Sequence, residues 1–305
     1  MNRDNQDRWL SESSTSNFIR WKGSCASRRR PVGDPAPGTG VPSIPRTDGT
    51  APQSARVWNY WLGGRDHYPA DRLAGDRFIG LYPKIVDVAR HSRAFLARAV
   101  RYLAGEAGIR QFIDIGTGLP ATDNTHEVAQ RAAPDARIVY VDNDPLVLAH
   151  ARALLTGTRE GATDYVDADL RDPGRILAEA ARTLDLDRPV GLLVLNTLGH
   201  VRDDDEARSI VGHLLDGLPA GSHLAVADGT DVLTGEAFRT AVDMWNQASD
   251  TPYHLRTPDV IAGFFTGLRL LDPGVVPVSR WRAEPDPSGE PDEVDEFCAV
   301  GRKTS

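Results

Sequence analysis

The chain has 305 residues, 40% of them hydrophobic and 26% charged, which suits one large core or two modest ones and is too apolar for a wholly disordered chain. Its 35 Lys and Arg against 43 Asp and Glu give a net charge of −8, which disfavours a nucleic-acid binder that depends on overall positive charge. No apolar run approaches the roughly 18 residues that a membrane-spanning helix needs, so no membrane partner is expected and the expected location is the cytoplasm.

Cys25 and Cys298 lie at opposite ends of the chain, without a CxxC or a histidine at ligand spacing. Neither a disulfide framework nor a metal site is expected. From Pro31 to Pro52 there are six prolines and four glycines in 22 positions. That composition cannot bury enough surface to offset the entropy of ordering, so residues 1–53 read as a flexible extension. Trp9, Phe18, Ile19 and Trp21 within it could form a short docking helix or belong to a disordered tail. The extension carries 8 basic and 5 acidic residues, which leaves the remainder more acidic than the whole.

Residues 54–108 read as an N-terminal helical segment that would lid a site in the core at 109–305. Ile85, Val88, Ser92, Leu96, Ala99 and Leu103 recur at steps of three and four, an amphipathic helix that stops at Gly105 and Gly108. An apolar strand over 111–115 follows, then a helix near 123–132, a strand over 137–141 and a helix from about 145, where Asp144 can cap and Pro145 fits the first turn. The alternation continues with strands at 163–167, 190–196 and 222–227 and helices at 173–184, 203–216 and 234–249. Such alternation predicts a doubly wound α/β fold with a mostly parallel sheet. After a short helix opened by Thr257-Pro258-Asp259, two strands, Leu268 to Trp281 and Phe297 to Arg302, have no helix between them and predict an antiparallel hairpin at the sheet edge.

In such a sheet, ligands bind beyond the carboxyl ends of the strands, where strand order reverses. The first strand ends in Asp114-Ile-Gly116-Thr-Gly118-Leu-Pro120-Ala121, in which Gly116, Thr117 and Gly118 can form a tight turn that admits a ligand against bare backbone. The string formally satisfies a dinucleotide fingerprint, so an NAD(P) oxidoreductase is one reading. Against it, Asp114 lies inside the strand, Pro120 stiffens the turn, and the acid ending the second strand, Asp142, lies 26 residues after Gly116. Asp142, followed by Asn143, can accept two hydrogen bonds from a ribose diol. Asp169, after the third strand, can accept from an adenine amine while Leu170 covers the ring, and Asn196 follows the fourth strand. Each acid alone could be a helix cap or a surface carboxylate. With no GxxxxGK[ST] and no basic residue in the first loop, an adenosine ligand without phosphates fits best, and S-adenosylmethionine is the common one.

At these residues the chain resembles the actinobacterial S-adenosyl methyltransferase family, formerly a domain of unknown function, from about residue 52 to 303. The resemblance rests on Ala55-Arg-Val-Trp-Asn-Tyr-Trp-Leu-Gly-Gly-Arg-Asp66, on Arg93-Ala-Phe-Leu, on Gly108-Ile-Arg-Gln-Phe-Ile-Asp-Ile-Gly-Thr-Gly-Leu-Pro120 and on Tyr140-Val-Asp-Asn-Asp-Pro145. It extends through Leu218-Pro-Ala-Gly-Ser222, Phe264-Phe-Thr-Gly-Leu268, Pro273-Gly274 and Trp281-Arg282. It implies a class I methyltransferase, Rossmann-like, with a seven-stranded sheet whose last strand is reversed, and an S-adenosylmethionine pocket using Gly116, Gly118, Asp142 and Asp169. The chain departs from the family at Trp58-Asn59, where Tyr-Asp is usual, and at Leu198-Gly199, where Leu-His is common and His200 stands one place later.

A general base is needed only if the acceptor must lose a proton. His200 after the fourth strand, Asp228 after the fifth, and Tyr60 or His67 in the N-terminal segment are the candidates. The chain has neither [DNS]PP[YF] after the fourth strand nor a Pro-Cys nucleophile, so the expected acceptor is a small molecule and not nucleic acid. A non-catalytic protein that binds S-adenosylmethionine or S-adenosylhomocysteine is the second reading. Nothing in the sequence sets the oligomeric state.

Overall fold

The first three helices among the described residues are α1 (Ser54–Trp61), α2 (Pro69–Leu81) and α3 (Ile85–Gly105). The structure, a computed structural model, describes residues 49–154, 156–284, 289 and 291–305. The expected extension up to residue 48, with its docking helix and Cys25, lies outside the described residues. Buried ion pairing fixes α1 on α2: Arg56 Nε donates to Asp71 Oδ2 at 2.7 Å, and the same carboxylate accepts from the backbone N–H of Gln53 and Tyr68. In α3 the six stripe positions are all buried, as their spacing requires.

Strands and helices then alternate: β1 (Gln111–Ile115), α4 (Thr125–Ala132), β2 (Arg137–Asp142), α5 (Pro145–Leu154), β3 (Ala162–Asp167), α6 (Pro173–Ala180), β4 (Gly191–Leu195), α7 (Asp204–Asp216), β5 (His223–Gly229) and α8 (Glu236–Ala248). Asp144 and Asp172 cap α5 and α6, accepting from Leu146 N and Arg175 N. The chain ends with α9 (Pro258–Gly263), β6 (Leu268–Leu270), β7 (Val276–Pro277) and β8 (Glu296–Lys303).

The sheet runs β3-β2-β1-β4-β5-β8-β6, with the two-residue β7 also paired to β8. β1 to β5 are parallel, and β8 is antiparallel to both β5 and β6. The seven strands along that path form a Rossmann-like, mostly parallel sheet with one reversed strand. Two details differ from the expected hairpin. The last strand is inserted between β5 and β6, so β6 is the edge, and the segment 268–281 is broken, because Pro273 cannot donate to a ladder and Gly274 turns at φ +84°.

Successive strand residues feed opposite faces. Phe112, Ala225 and Ala227 pack with α1–α3 and α8, whereas Ile113, Ile115, Leu224 and Val226 pack on the side that holds Ile176, Ile210, Leu214 and Phe264. Both faces are therefore covered, as a parallel sheet needs. Order reverses between β1 and β4, and that is where a cavity opens.

Candidate active site

Local geometry at the end of β1 explains both glycines. Gly116 (φ +72°) turns back so that its N–H donates to Val141 O at 2.8 Å, and a Cβ there would lie 2.1 Å from Thr197 Oγ1 in the loop after β4. Gly118 (φ +65°) has the same backbone requirement but no neighbour: a Cβ there would meet nothing within 4 Å. One glycine permits close packing between loops, and the other leaves a ligand-sized space open.

That space is a cavity of about 490 Å³ at the carboxyl ends of β1 to β4, closed on its other side by residues of α1 and α3. Asp114, Gly116, Thr117 and Gly118 reach it from β1 and its turn; Asp142 and Asn143 reach it from β2; Asp169 and Leu170 follow β3; Asn196 and His200 follow β4. All nine cofactor residues expected from the sequence thus border one space. Its size is that of a site for a ligand of several hundred daltons.

The acids are not equivalent. Asp142 Oδ2 accepts from Gly118 N at 3.0 Å and Oδ1 from Asp144 N at 2.9 Å, which aims the carboxylate and leaves lone pairs for further donors. Burial pushes its pKa up to about 6, against those same backbone N–H groups. Asp169 is half exposed; it accepts from Asn143 Nδ2 at 3.1 Å and from Arg171 N at 2.8 Å. Asp114 is buried. Burial raises its pKa while Thr125 Oγ1, donating at 2.6 Å, and the nearby Arg93 guanidinium oppose the rise.

A family model described as S-adenosyl methyltransferase matches residues 42–304. The chain belongs to that family. A solved structure of a DUF574 family protein from Streptomyces avermitilis MA-4680 is 43% identical, covers 84% of this chain and 99% of its own, and superposes with a TM-score of 0.80. A second, from Thermobifida fusca YX, is 37% identical, covers 86% of this chain and all of its own, with a TM-score of 0.76. No curated protein matches the chain. The sheet described above is that of a class I S-adenosylmethionine-dependent methyltransferase fold.

Within this family member the four base candidates are placed very differently. His200 borders the cavity; its Nδ1 lies 2.9 Å from Pro252 O, so Nδ1 carries the proton and Nε2 the lone pair. Burial pushes this imidazole's pKa down, the Pro252 carbonyl opposes the shift and Arg171 adds to it, which keeps the ring neutral. The ring of Tyr253 fills the volume beside Gly199, where a Cβ would come within 2.2 Å of it. That packing accounts for the missing histidine at 199. Asn59 at the other family departure is buried and accepts from Asp66 N at 3.0 Å, so its amide orders the turn after α1.

The remaining candidates lie away from the cavity. Asp228 is fully buried, with Arg256 Nη1 at 2.9 Å from its Oδ2 and Tyr253 OH donating to its Oδ1. Tyr60 donates to Asp76 and stacks edge-on against His67, 5.1 Å between ring centres. Among the described residues no His, Cys, Asp and Glu group is placed to hold a metal ion, and no helix is long and apolar enough to cross a membrane.

Several site residues escaped the sequence. Arg93 follows the buried stripe position Ser92, and both border the cavity; its Nη2 donates to Thr122 O and Asp123 O, while its Nε is buried without a partner. Arg171 ties Asp169 to Glu206 and to His200 O. Asn196 was expected after β4, but held at φ +56° it spends its side chain on Ser92 Oγ, Glu296 Oε1 and Tyr253 OH. A basic residue beside a helix stripe was the available signal for Arg93; Arg171 had none, since Glu206 and His200 lie far from it in sequence.

Glu296 carries a consequence for pH. Burial, partly offset by Asn196 and Ser92, raises its pKa from 4.5 to about 8. The folded chain then keeps a proton that the unfolded chain releases, so this group's contribution is full below pH 4.5 and is lost as pH rises towards 8. Glu296→Gln should remain neutral throughout. Its thermal midpoint is expected to fall several degrees less than that of the wild type between about pH 5 and pH 8. Equal slopes in the two proteins would show that Glu296 ionises freely.

Proposed function

We propose that this chain transfers a methyl group from S-adenosylmethionine to a small acceptor with an apolar end. The observation that carries the reading is the convergence of three carboxylates, from the ends of three neighbouring strands, on one cavity beside a bare glycine turn. The residues present fit the cofactor. Asp142 can accept from both ribose hydroxyls, Asp169 from an adenine amine with Leu170 against the ring, and the free Nε–H of Arg93 offers a donor to a carboxylate in the methionine part, near Asp114.

S-adenosylmethionine, when bound, supplies a methyl group on a sulfonium whose departure needs no proton. The chain's contribution is then placement and exclusion of water. α1 and α3 cover the cavity with Trp58, Leu62 and Leu96. Behind Ser54, Trp58 and Asn196, which are common to both spaces, lies a second apolar cavity of about 50 Å³, bordered by Trp61, Phe78, Phe238 and Trp245. An apolar cavity of roughly 150 Å³ holds a benzene ring, about three times this volume. The closed space therefore takes only a small apolar end, and a larger acceptor requires α1 to move outward.

His200 is the base of choice, being neutral and the one candidate of the four that borders the cavity. His200→Gln is expected to lower turnover about 10²- to 10⁴-fold on an acceptor that must be deprotonated, with affinity for S-adenosylhomocysteine unchanged. Undiminished turnover would remove His200 from the chemistry.

Calorimetry with S-adenosylmethionine, S-adenosylhomocysteine and NAD, followed by incubation with methyl-labelled cofactor and a small-molecule cell extract, tests the proposal. Tight NAD binding without a response to the sulfonium would overturn it. Cofactor binding without label transfer across broad extracts would favour the non-catalytic binding role.

A further inference from the structure

A second cleft lies at the opposite end of the sheet, where β1, β4 and β5 begin. Its volume is about 370 Å³. By strand length, about 3.3 Å per residue over five to seven residues, it is roughly 20 Å from the cofactor cavity. The two spaces share no residue.

Strand register makes this cleft unusual. His223 of β5 stands directly opposite Arg302 of β8, which stands directly opposite Arg269 of β6. Directly opposed residues share a face of the sheet, so His223, Arg302 and Arg269 form one row across three adjacent strands, and the like charges of Arg302 and Arg269 repel. Arg188, from the turn before β4, and Arg110, from the residue before β1, complete the border. Among the described residues Arg188, Arg269 and Arg302 are exposed and have no carboxylate partner. Arg110 is engaged by Asp135 at 3.4 Å and by the carbonyls of Ala104 and Ile109. The acid bordering the cleft, Glu106, lies 3.9 Å from Arg282 and forms no ion pair with the row among the described residues.

At the end of the row is a side chain without an outlet. His223 is 4% exposed, and its Nδ1 is buried with no hydrogen bond of ordinary geometry. Burial, Arg302 and Arg269 push its pKa down to about 4, against the Gly221 backbone, so the ring is a neutral donor-acceptor beside guanidinium groups.

We propose that this cleft binds a small oligophosphate anion, held by the guanidinium forks of Arg188, Arg269 and Arg302. Guanidinium groups match phosphate oxygens bidentately, and several converging on a polar cleft suit several linked phosphates better than one carboxylate. The ligand would relieve the repulsion within the row. Free polyphosphate and the phosphate tail of a nucleotide share this chemistry. Neither depends on methyl transfer.

The test uses the full chain at about 0.1 M salt, where charge effects remain measurable. Tripolyphosphate and ATP are titrated by calorimetry, with thermal midpoints recorded alongside. Saturable binding of tripolyphosphate is expected, with a raised midpoint; tighter binding of ATP would identify a nucleotide tail, and equal binding free polyphosphate. Arg269→Glu replaces a repelling pair with an attracting one against Arg302. It should melt at or above the wild-type temperature without ligand, bind tripolyphosphate at least tenfold more weakly, and keep wild-type affinity for S-adenosylhomocysteine. Arg188→Ser should show the same loss, which guards against a fold effect in the strand variant. Absence of saturable tripolyphosphate binding in the wild type, or equal binding in both variants, would overturn the proposal, as would binding of a single-stranded oligonucleotide alone.

Discussion

Gly118→Val is expected to abolish measurable binding of S-adenosylhomocysteine while leaving the chain folded. The backbone at 118 lies at φ +65°, and a β-branched residue there costs about 1–3 kcal/mol of strain. At roughly 2–4 °C per kcal/mol for a protein of this size, the thermal midpoint should fall by about 2–12 °C. No atom lies within 4 Å of the added Cβ, so at that atom the fold meets no clash. The branched side chain instead enters the cavity beside Asp142, where it excludes a ligand. Affinity should drop by at least about 100-fold, or roughly 2.7 kcal/mol. Asp142→Ala is the companion variant: it removes the acceptor of Gly118 N and Asp144 N and any ligand hydroxyl, and hydrogen bonds to a charged group contribute about 1.5–3 kcal/mol. Calorimetry on both proteins decides the matter, because wild-type affinity in both would place the ligand elsewhere.

The largest loss of stability is expected from Arg256→Ala. Arg256 and Asp228 are both fully buried, and the guanidinium also reaches Asp204 Oδ1 at 2.9 Å and Val201 O. Truncation strands the Asp228 carboxylate in a site whose burial already raises its pKa against the help of Arg256 and Tyr253. Breaking a buried pair from one side costs about 3–5 kcal/mol, which at this size lowers the thermal midpoint by about 6–20 °C. Removing both partners in Arg256→Ala/Asp228→Ala should be milder than the single change, since no charge is then left unpaired. Thermal melts of the three proteins measure this. A double variant less stable than the single one would show that Asp228 stabilises the fold through Tyr253 and its other neighbours even without Arg256. The result also bears on function, because it separates Asp228 as a structural acid from the acids that face the cavity.

What was legible in the sequence follows from range. The apolar stripe of α3, the alternation of strands with helices and the cap Asp144 depend on neighbours within a few residues, and all are in place. So are the strand-end acids, because a residue just past a parallel strand must emerge at the ligand side of the sheet. Asn196 shows the limit: its place after β4 was legible, yet its side chain bonds Ser92 and Glu296, 104 and 100 residues away. Asp228 had an equivalent position after β5, but Arg256 and Tyr253 enclose it, and nothing near residue 228 signals them. Pro273-Gly274 could have broken the segment 268–281 on chemistry alone, and the apolar residues on either side concealed it.

By itself the sequence determined the order and type of the elements, the glycine turn after β1 and the positions of Asp114 within the first strand and of Asp142 and Asp169 after the next two, since periodicity and turn chemistry are properties of short segments. The tertiary structure decided the insertion of β8 between β5 and β6 and, through it, the row of His223, Arg302 and Arg269. It also decided which carboxylates face a cavity and which are spent on buried partners. Those outcomes depend on packing between segments distant along the chain, where burial sets the charge and reach of each side chain and no local pattern records it.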